Sequence, residues 1–451
     1  MAGVSLAQKV FINYNMKVED IMENFNQYYE FILNRGSTSG GHSLEKIKSL
    51  LEYFDNPQDK IKVIHIAGTN GKGSTANMIA NTLSRKNRVG LFTSPYMTKI
   101  NETISISGVD ISDEDFAEII DRLKKPLEDL DEKGLHNSYF EVLTAIMYIY
   151  FYEKKVDVAV VEVGLGGSLD STNIIKSPLA CVITTISKDH IQILGDSLEE
   201  IAQNKAGIIK DKSEVFLYPK EGTVKEVFIK KIENTSSRLH TFDKEEIDII
   251  KTGPDYNEFS FRSYKNIRTS LVGLHQIYNA VTALITLDFL KKEFNLSNKD
   301  ISDGLLTTRN PGRLELINKN PRILVDGSHN REAIDALINA ISSYKYRKLI
   351  VGFSILKDKD YNYIIDSLAK IADEIIVTKI KDNPRAFDTD ELYSLMKDKA
   401  KKAIEIVDLV KAYEYSKKLA HEDDLVLWCG SLYLVGDILK HEKSSLKGSL
   451  E

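Results

Sequence analysis

The chain has 451 residues, of which 42% are hydrophobic and 28% are charged, and its formal net charge is −6. This length is about three times that of a usual single domain, so two domains are expected. The slightly acidic balance creates no overall field that would attract nucleic acid. No apolar run reaches the roughly 20 residues of a membrane-spanning helix, and the N-terminal segment lacks the apolar block of a signal peptide.

The two cysteines, Cys181 and Cys429, lie in apolar runs and are interpreted as buried free thiols. These features favour a soluble cytoplasmic protein, and nothing in the sequence demands more than a monomer.

Short β-branched runs alternate with longer amphipathic stretches, which is the pattern of an α/β protein with a largely parallel sheet. In the first part, Tyr139–Tyr152 is apolar nearly all round and predicts a buried helix. The more polar segment Lys210–Arg268 predicts extra strands or insertions near the end of the first domain. The predicted strands of this part are Val63–Ala67, Val89–Phe92, Val158–Val163 and Leu179–Thr184.

A second alternation of strands and helices begins after Pro311. Turn-forming residues in Thr307–Gly312 follow a helical pattern, so a domain boundary is predicted between residues 308 and 309. The domains 1–308 and 309–451 would be a P-loop-type, mostly parallel sheet domain and a smaller Rossmann-like α/β domain. A cleft between two such domains suits a nucleotide and a second substrate. The predicted elements here are the strands Ile323–Val325, Leu349–Phe353, Glu374–Val377 and Leu425–Cys429 and the helix Arg331–Ser342.

A glycine-rich turn after the first strand is the most informative stretch, within VIHIAGTNGKGSTANMIANTL. Glycines allow the backbone to curl around a polyphosphate with its N–H groups pointing inward, and the following helix adds partial positive charge. Lys72 would supply a mobile cation to the β- and γ-phosphates, and Ser74 a hydroxyl for magnesium. The turn therefore predicts an ATP site formed by Thr69, Asn70, Gly71, Lys72, Gly73 and Ser74.

This turn departs from the standard phosphate-loop pattern in two places. Ile66 stands where that pattern has glycine, and Gly73 separates Lys72 from Ser74. The alternative is a glycine-rich turn that binds no ligand. The strand, lysine, hydroxyl and helix occur together, which favours the nucleotide site but indicates no particular reaction.

Three polar residues follow later strands or their connections. Glu162 ends a buried strand, His190 follows the next strand, and Lys205 lies on a short helical segment after that. The strand ends of a parallel sheet open onto one crevice, so these groups could converge beside the phosphate loop. Glu162 and Ser74 would suit Mg²⁺, which keeps water and phosphate oxygens as further ligands. Taken singly, the three residues could equally be a turn cap, a core histidine and a solvated lysine; the set favours a metal site.

A family resemblance rests on motifs that run from about Ser43 to Gly436. GTNGKGST, SPYMTKINETISISG, EVGLGGSLDSTN, SKDH and NKAGIIK occur in the order seen in Mur-type amide ligases, and LHQIYNA, NPGRLE, DGSHN, LKDKD and GSLYLVG continue the likeness. The sequence is particularly similar to folylpolyglutamate synthases and dihydrofolate synthases. The resemblance implies ATP- and magnesium-dependent addition of L-glutamate to tetrahydrofolate, with dihydropteroate as a further acceptor. A substrate carboxylate would attack the γ-phosphate of ATP, and the amine of glutamate would then attack the acyl phosphate.

The resemblance also implies roles for individual residues. Ser74 and Glu162 match ligands of a first magnesium ion, and His190 matches a ligand of a second. Lys205 matches a lysine that is carbamylated in this family, a change that turns a repelling cation into an anion able to ligate Mg²⁺. Lys72, His190 and Lys205 are accordingly the expected catalytic residues.

Four further residues match nucleotide contacts. Asn279 matches the family's adenine-side residue, a role that suits a side-chain amide because it can donate and accept hydrogen bonds at once. Arg313, Asp326 and His329 match nucleotide and phosphate contacts from the second domain; a surface ion pair and a turn are the alternatives. If these roles hold, neither domain alone completes the site, and domain closure would exclude water from the acyl phosphate.

The resemblance also implies where the folate substrate binds. Three residues match positions near its pterin ring: Ser138, Phe140 and Asp170. Asp170 could accept hydrogen bonds from the pterin edge and Phe140 could stack on the ring. Alternatively, Asp170 could simply form a turn, and Phe140 could belong to an apolar cluster at the start of a helix. The chain departs from the dihydrofolate synthase pattern at Ser168, where arginine is usual, and at Tyr96, where histidine is usual. The Ser168 change leaves activity on dihydropteroate open and bears less on polyglutamylation.

Two other interpretations compete with this one. A peptidoglycan Mur-type amino-acid ligase is expected to carry a UDP-binding domain before its phosphate loop, whereas the loop here already starts at Gly68. A non-catalytic, ATP-binding regulatory module would need the loop but not Lys205, Arg313 or the DGSHN segment.

Overall fold

The computed structural model describes residues 27–36, 43–381 and 383–448. These residues form an eight-stranded, a six-stranded and a three-stranded β-sheet, with helices packed against them. Within this part of the chain, no helix is both long and apolar enough to cross a membrane. Cys181 and Cys429 are buried free thiols, as predicted.

The eight-stranded sheet comprises most of the first half of the chain. Its strands are β1 Val63–Ala67, β2 Val89–Phe92, β3 Ile104–Ile106, β4 Val109–Asp110, β5 Val158–Glu162, β6 Ala180–Ile183, β7 Glu214–Leu217 and β8 Arg238–His240, in the order β4-β3-β2-β5-β1-β6-β7-β8. β1 lies between β5 and β6 and is parallel to both, whereas β3 and β4 pair antiparallel at one edge. β1 and β2 span the predicted residues, and β5 and β6 are slightly shorter than predicted.

Helices cover both faces of this sheet. They are α1 Glu45–Glu52, α2 Lys72–Leu83, α3 Asp113–Glu132, α4 Tyr139–Glu153, α5 Ile191–Leu194, α6 Leu198–Ala206, α7 Gly222–Asn234, α8 Leu274–Leu290 and α9 Asn298–Thr307. One apolar cluster joins the sheet to α2, α8 and α9, and another joins it to α3 and α4. The predicted burial of α4 is confirmed, because every residue from Glu141 to Phe151 is buried.

The polar segment Lys210–Arg268 forms extra strands, as predicted. β7 and β8 extend the large sheet, and a separate antiparallel sheet contains β9 Ile247–Lys251, β10 Asn257–Phe261 and β11 Tyr264–Thr269. Phe259, Phe261 and Tyr264 bury their rings in the cluster formed by α2 and α8. The small sheet is therefore anchored on the helices that flank the phosphate loop.

The six-stranded sheet comprises the last third of the chain. Its strands are β12 Glu315–Lys319, β13 Arg322–Asp326, β14 Leu349–Phe353, β15 Glu374–Val377, β16 Ala403–Glu405 and β17 Leu425–Cys429, and its helices are α10 Arg331–Ile341, α11 Tyr361–Ile371, α12 Thr389–Met396, α13 Leu409–Leu419 and α14 Leu432–Gly448. The order is β12-β13-β17-β14-β15-β16, parallel except for the edge pair β12–β13. β14, β17 and residues 323–325 of β13 are apolar throughout, because parallel strands covered on both faces bury both rows of side chains. The predicted α/β class with mainly parallel sheets is confirmed.

Candidate active site

One cavity lies where the carboxyl ends of β1 and β5 face the carboxyl end of β13, so both sheets contribute to it. Crevices at the carboxyl ends of parallel strands are the usual ligand sites of such folds. The predicted nucleotide, metal and catalytic residues all line this cavity: Thr69, Asn70, Gly71, Lys72, Gly73, Ser74, Glu162, His190, Lys205, Asn279, Arg313, Asp326 and His329. Ser138, Phe140 and Asp170 are not part of its lining.

The glycine-rich turn between β1 and α2 has a shape that only glycine permits at two positions. A Cβ on Gly68 would lie 1.8 Å from Thr184 Oγ1, and a Cβ on Gly71, whose φ is +84°, would lie 2.5 Å from Asn279 Oδ1. Helix α2 starts at Lys72, directly after this turn. The first N–H groups of a helix have no intrahelical acceptor, and together with the helix dipole they attract an anion. The shape of the turn and the start of α2 therefore suit a bound phosphate.

Lys72 folds back over the turn. Its Nζ donates to the carbonyl oxygen of Thr69 at 3.2 Å and lies 3.9 Å from Glu162 Oε1. The side chain is 17% exposed, so its charge is partly shielded from water. A phosphate bound by the turn would lie within reach of this ammonium group.

Glu162 and Ser74 form the part of the cavity that fits a cation. Burial raises the pKa of Glu162 to about 7, although the charges of Lys72 and Arg313 act in the opposite direction. A Cβ on Gly73 would lie 3.4 Å from Glu162 Oε2, so the missing side chain leaves space beside this carboxylate. A divalent cation there would favour the charged form of Glu162.

The described residues contain no group of three or more His, Cys, Asp or Glu side chains arranged to hold a metal. Mg²⁺ commonly uses one or two carboxylates and takes its other ligands from water and substrate phosphates. The donor set of Glu162 and Ser74 fits that mode of binding.

Lys205 and His190 also line the cavity. Lys205 is 4% exposed, and its Nζ donates to the carbonyl oxygen of Gly68 at 2.8 Å. Burial, reinforced by the charge of Lys72, lowers the pKa of Lys205 to about 7. Partial burial and the charge of Lys359 lower the pKa of His190 to about 4, so its ring is neutral at pH 7 and has a lone pair for a metal.

Asp189 is a site residue that the sequence analysis did not identify. Lys359 Nζ lies 2.7 Å from Asp189 Oδ1, Asn330 Nδ2 donates to Oδ2 at 3.2 Å, and His329 Nε2 lies 3.6 Å from Oδ2. Burial alone would raise the pKa of Asp189, but the contacts with His329 and Lys359 outweigh it and hold that pKa well below its usual range. This network joins the loop after β6 to the six-stranded sheet.

A second link between the sheets runs through Glu332, at the start of α10. Its carboxylate accepts hydrogen bonds from Asn70 Nδ2 at 2.5 Å and from Thr185 Oγ1 at 2.9 Å. The side chains of Asn70 and Asn330 also exchange hydrogen bonds at 3.0 and 3.3 Å. The phosphate turn is thus held directly by the start of α10, the helix that follows β13. The DGSHN motif was a signal for this contact, since Asn330 is its last residue and Glu332 lies two residues after it.

Three of the residues that match nucleotide contacts of the family lie on different elements, on α8 and at or after the end of β13. Asn279 is 3% exposed, and its Oδ1 has no hydrogen-bond partner among the described residues. Asp326 accepts from the N–H groups of Leu314 and Ser328, both at 2.8 Å, and so fixes the turn after β13. Nδ1 of His329 donates to the carbonyl oxygen of Gly327 at 2.8 Å, which leaves Nε2 facing Asp189.

The three residues predicted near a pterin hold local structure. Ser138 caps α4 in a reciprocal hydrogen-bonded arrangement with Glu141. The carboxylate of Asp170 accepts from Leu165 N at 2.8 Å and from Thr172 N at 3.0 Å. A Cβ on Gly164 would lie 2.4 Å from the ring of Phe140, and Gly164 lines the cavity. Their contact with a substrate stays a prediction.

The two larger sheets, with a phosphate turn in the cleft between them, are those of a Mur-type ATP-dependent ligase. The Mur ligase middle domain matches residues 66–287, and the Mur ligase glutamate ligase domain matches residues 312–432.

Relatives narrow this class to one family. The chain is 37% identical over 411 residues to a dihydrofolate synthase/folylpolyglutamate synthase of Bacillus subtilis, which covers 89% of this chain and 95% of that protein. It is 34% identical to a folylpolyglutamate synthase of Lacticaseibacillus casei, covering 78% and 84% of the two chains. The structure of Mycobacterium tuberculosis folylpolyglutamate synthase complexed with ADP superposes with a TM-score of 0.86 and 27% identity over 94% of this chain and 99% of that one. The chain belongs to the folylpolyglutamate synthase/dihydrofolate synthase family of Mur ligases and is an ATP-dependent glutamate ligase.

Proposed function

We propose that this chain adds L-glutamate to tetrahydrofolate, and also to dihydropteroate, through an acyl phosphate. The observation that carries this proposal is the cavity between the sheets. It combines the phosphate turn, the buried Glu162 and the buried Lys205 within one cleft. We further propose that residues 1–308 and 309–451 are its two domains, since each range contributes its own sheet to the cleft.

The first step is transfer of the γ-phosphoryl group of ATP to a substrate carboxylate. A carboxylate oxygen forms the new bond to phosphorus while the bond to ADP breaks. The N–H groups at the start of α2 and the ammonium of Lys72 hold the phosphates in place. Ser74 and Glu162 would hold Mg²⁺, which neutralises phosphate charge when bound.

The second step forms the amide. The uncharged amine of glutamate attacks the acyl carbon, phosphate leaves, and the nitrogen loses a proton. Water would compete with the amine for the acyl phosphate, so the cleft must be closed during this step. The Asp189–Lys359 and Asn70–Glu332 contacts close it from two sides.

We propose that Lys205 is carbamylated and, with His190, serves a second Mg²⁺. Only a neutral amine attacks CO₂, losing a proton as the carbamate forms. The pKa of about 7 keeps a large share of Lys205 neutral at physiological pH. The carbamate would carry negative charge where the unmodified ammonium would repel the cation.

We propose both acceptors because the similar proteins include folylpolyglutamate synthases and dihydrofolate synthases. The serine at position 168 does not discriminate between the two activities. Ser168 Oγ donates to the carbonyl oxygen of Asn204 at 2.9 Å, and a Cβ on Gly207 would lie 2.0 Å from Ser168 Oγ. The side chain at this position therefore packs within the protein in the present structure. We propose ATP, glutamate and the folate acceptor as the small-molecule partners of a monomeric, cytoplasmic enzyme.

The test is ADP formation by purified protein with Mg²⁺, ATP, glutamate and tetrahydrofolate, omitting each in turn. ADP formation that requires both glutamate and the folate supports the proposal, and mass spectrometry should show one added glutamyl unit. Dihydropteroate in place of tetrahydrofolate tests the second acceptor separately. ADP binding without any acceptor-dependent ADP formation would instead indicate a regulatory module.

A further inference from the structure

The hydroxyl of Ser74 is held by two side-chain amides. Its Oγ accepts hydrogen bonds from Gln276 Nε2 at 3.2 Å and from Asn310 Nδ2 at 3.0 Å. A serine oxygen has two lone pairs, and these two donors engage both. A cation that binds this oxygen needs one of the lone pairs, so one amide must withdraw.

Gln276 is the amide that stays. It is 4% exposed on α8, and its Oε1 accepts a second hydrogen bond from Asn279 Nδ2 at 3.1 Å. Withdrawing Gln276 would leave buried polar groups without partners, which costs far more than releasing a group that water can reach.

Asn310 is the amide that can leave. It is half-buried in the segment between α9 and β12, and among the described residues its side chain hydrogen-bonds only to Ser74. Once released, its amide can be hydrated.

The amide of Asn310 also lies on the side of the turn where a cation would bind. A Cβ on Gly73 would lie 3.9 Å from Asn310 Nδ2 and 3.4 Å from Glu162 Oε2. The amide and the carboxylate thus border the same small space beside Ser74.

We propose that Asn310 is a positioning residue that holds the Ser74 hydroxyl until a divalent cation displaces it. This inference rests on the proposed cation role of Ser74 and Glu162. Asn310 therefore competes with the cation, and its removal tightens cation binding. A residue that merely supported the site would have the opposite effect.

The experiment measures Mn²⁺ binding to the protein–ADP complex by the electron paramagnetic resonance of free Mn²⁺. Mn²⁺ accepts the same oxygen ligands as Mg²⁺. Asn310→Ala is expected to lower the Mn²⁺ dissociation constant about fivefold, the ratio that corresponds to one ordinary hydrogen bond. Asn310→Leu, which keeps the side-chain size but lacks a donor, should shift it in the same direction.

Asn81→Ala is the matched control. Asn81 Nδ2 donates to Gly304 O at 2.8 Å and to Thr307 Oγ1 at 3.0 Å, so it ties α2 to the end of α9 without touching Ser74. Its loss is expected to leave Mn²⁺ affinity unchanged. In a Ser74→Ala background, Asn310→Ala should also have no effect on Mn²⁺ affinity.

Unchanged or weaker Mn²⁺ binding in both Asn310 variants would overturn the inference, and so would equal tightening in Asn81→Ala. If Ser74→Ala alone left Mn²⁺ affinity unchanged, Ser74 would not be a ligand and the inference would also fail. Glutamate-dependent ADP formation by the unaltered protein is measured separately, so that the ligase proposal is tested independently of the role of Asn310.

Discussion

Replacing Lys359 by methionine is expected to weaken nucleotide binding, because Lys359 links the two sides of the cleft. The Lys359 side chain is 7% exposed and that of Asp189 is 12% exposed, with 2.7 Å between the charged atoms. Removing one partner of a buried ion pair costs about 3–5 kcal/mol. Asp189 would keep the amide of Asn330 and the ring of His329, so we expect a smaller loss of about 2 kcal/mol. If this loss falls on the closed, nucleotide-bound arrangement, the ADP dissociation constant rises about 30-fold.

Calorimetric titration with ADP at one fixed Mg²⁺ concentration measures this change. Lys188→Met is the matched control, because Lys188 forms an ion pair with Asp196 at 3.1 Å in which the side chains are 58% and 82% exposed. Exposed pairs contribute about 0–1 kcal/mol, so this control should change ADP affinity by less than about fivefold. A Lys359→Met protein that bound ADP as tightly as the control would refute the claim that this pair holds the cleft closed.

Three further outcomes are expected at the metal and lysine positions. Lys205→Ala should lose ligase activity, and acetate or formate should partly restore it by replacing the carbamate; normal turnover without such acids would count against carbamylation. Glu162→Gln should raise the Mg²⁺ concentration needed for half-maximal ADP formation at least about tenfold, since charged ligands contribute more than neutral ones; an unchanged requirement would remove Glu162 from the metal site. Carbamylation of Lys205 at fixed dissolved CO₂ should rise with pH through about 7 and level off above it, because the lowered pKa makes the amine neutral above that value and protonated below it. Carbon-13 magnetic resonance with labelled CO₂ would follow this modification, and a rise that continued towards pH 10 would show an ordinary lysine.

Much of the fold could be predicted because buried parallel strands leave a strong sequence pattern. β14 and β17 span the predicted residues, since each is an uninterrupted run of apolar residues and glycine that starts directly after a charged residue. The order of strands within each sheet could not be predicted. That β1 lies between β5 and β6, for example, depends on pairings across about a hundred residues, which local periodicity does not encode.

The candidate site likewise contains residues that a local motif predicts and residues whose contacts depend on distant parts of the chain. Residues that belong to a compact motif, such as Lys72 and Ser74, were found from the motif itself. Asp189 was missed although it precedes His190, because its partner Lys359 is 170 positions away and a lysine in a loop is usually solvated. Asn310 was missed for the same reason, since its contact with Ser74 spans 236 positions.

The charges in the cleft indicate that a cation binds there together with the nucleotide. The carboxylates that line the cavity are those of Glu162, Asp189, Asp326 and Glu332. Protein donors already engage the last three through Lys359, backbone N–H groups and the Asn70 amide, respectively. Glu162 lies beside Gly73 of the phosphate turn and has a backbone hydrogen bond from Ser94, and the positive charge of Lys72 lies 3.9 Å from its Oε1. A single carboxylate facing an ammonium group holds Mg²⁺ weakly, whereas nucleotide phosphates supply the missing oxygen ligands and pair with Lys72. The cation should therefore bind with the nucleotide, and Mn²⁺ should bind the protein far more weakly when ADP is absent.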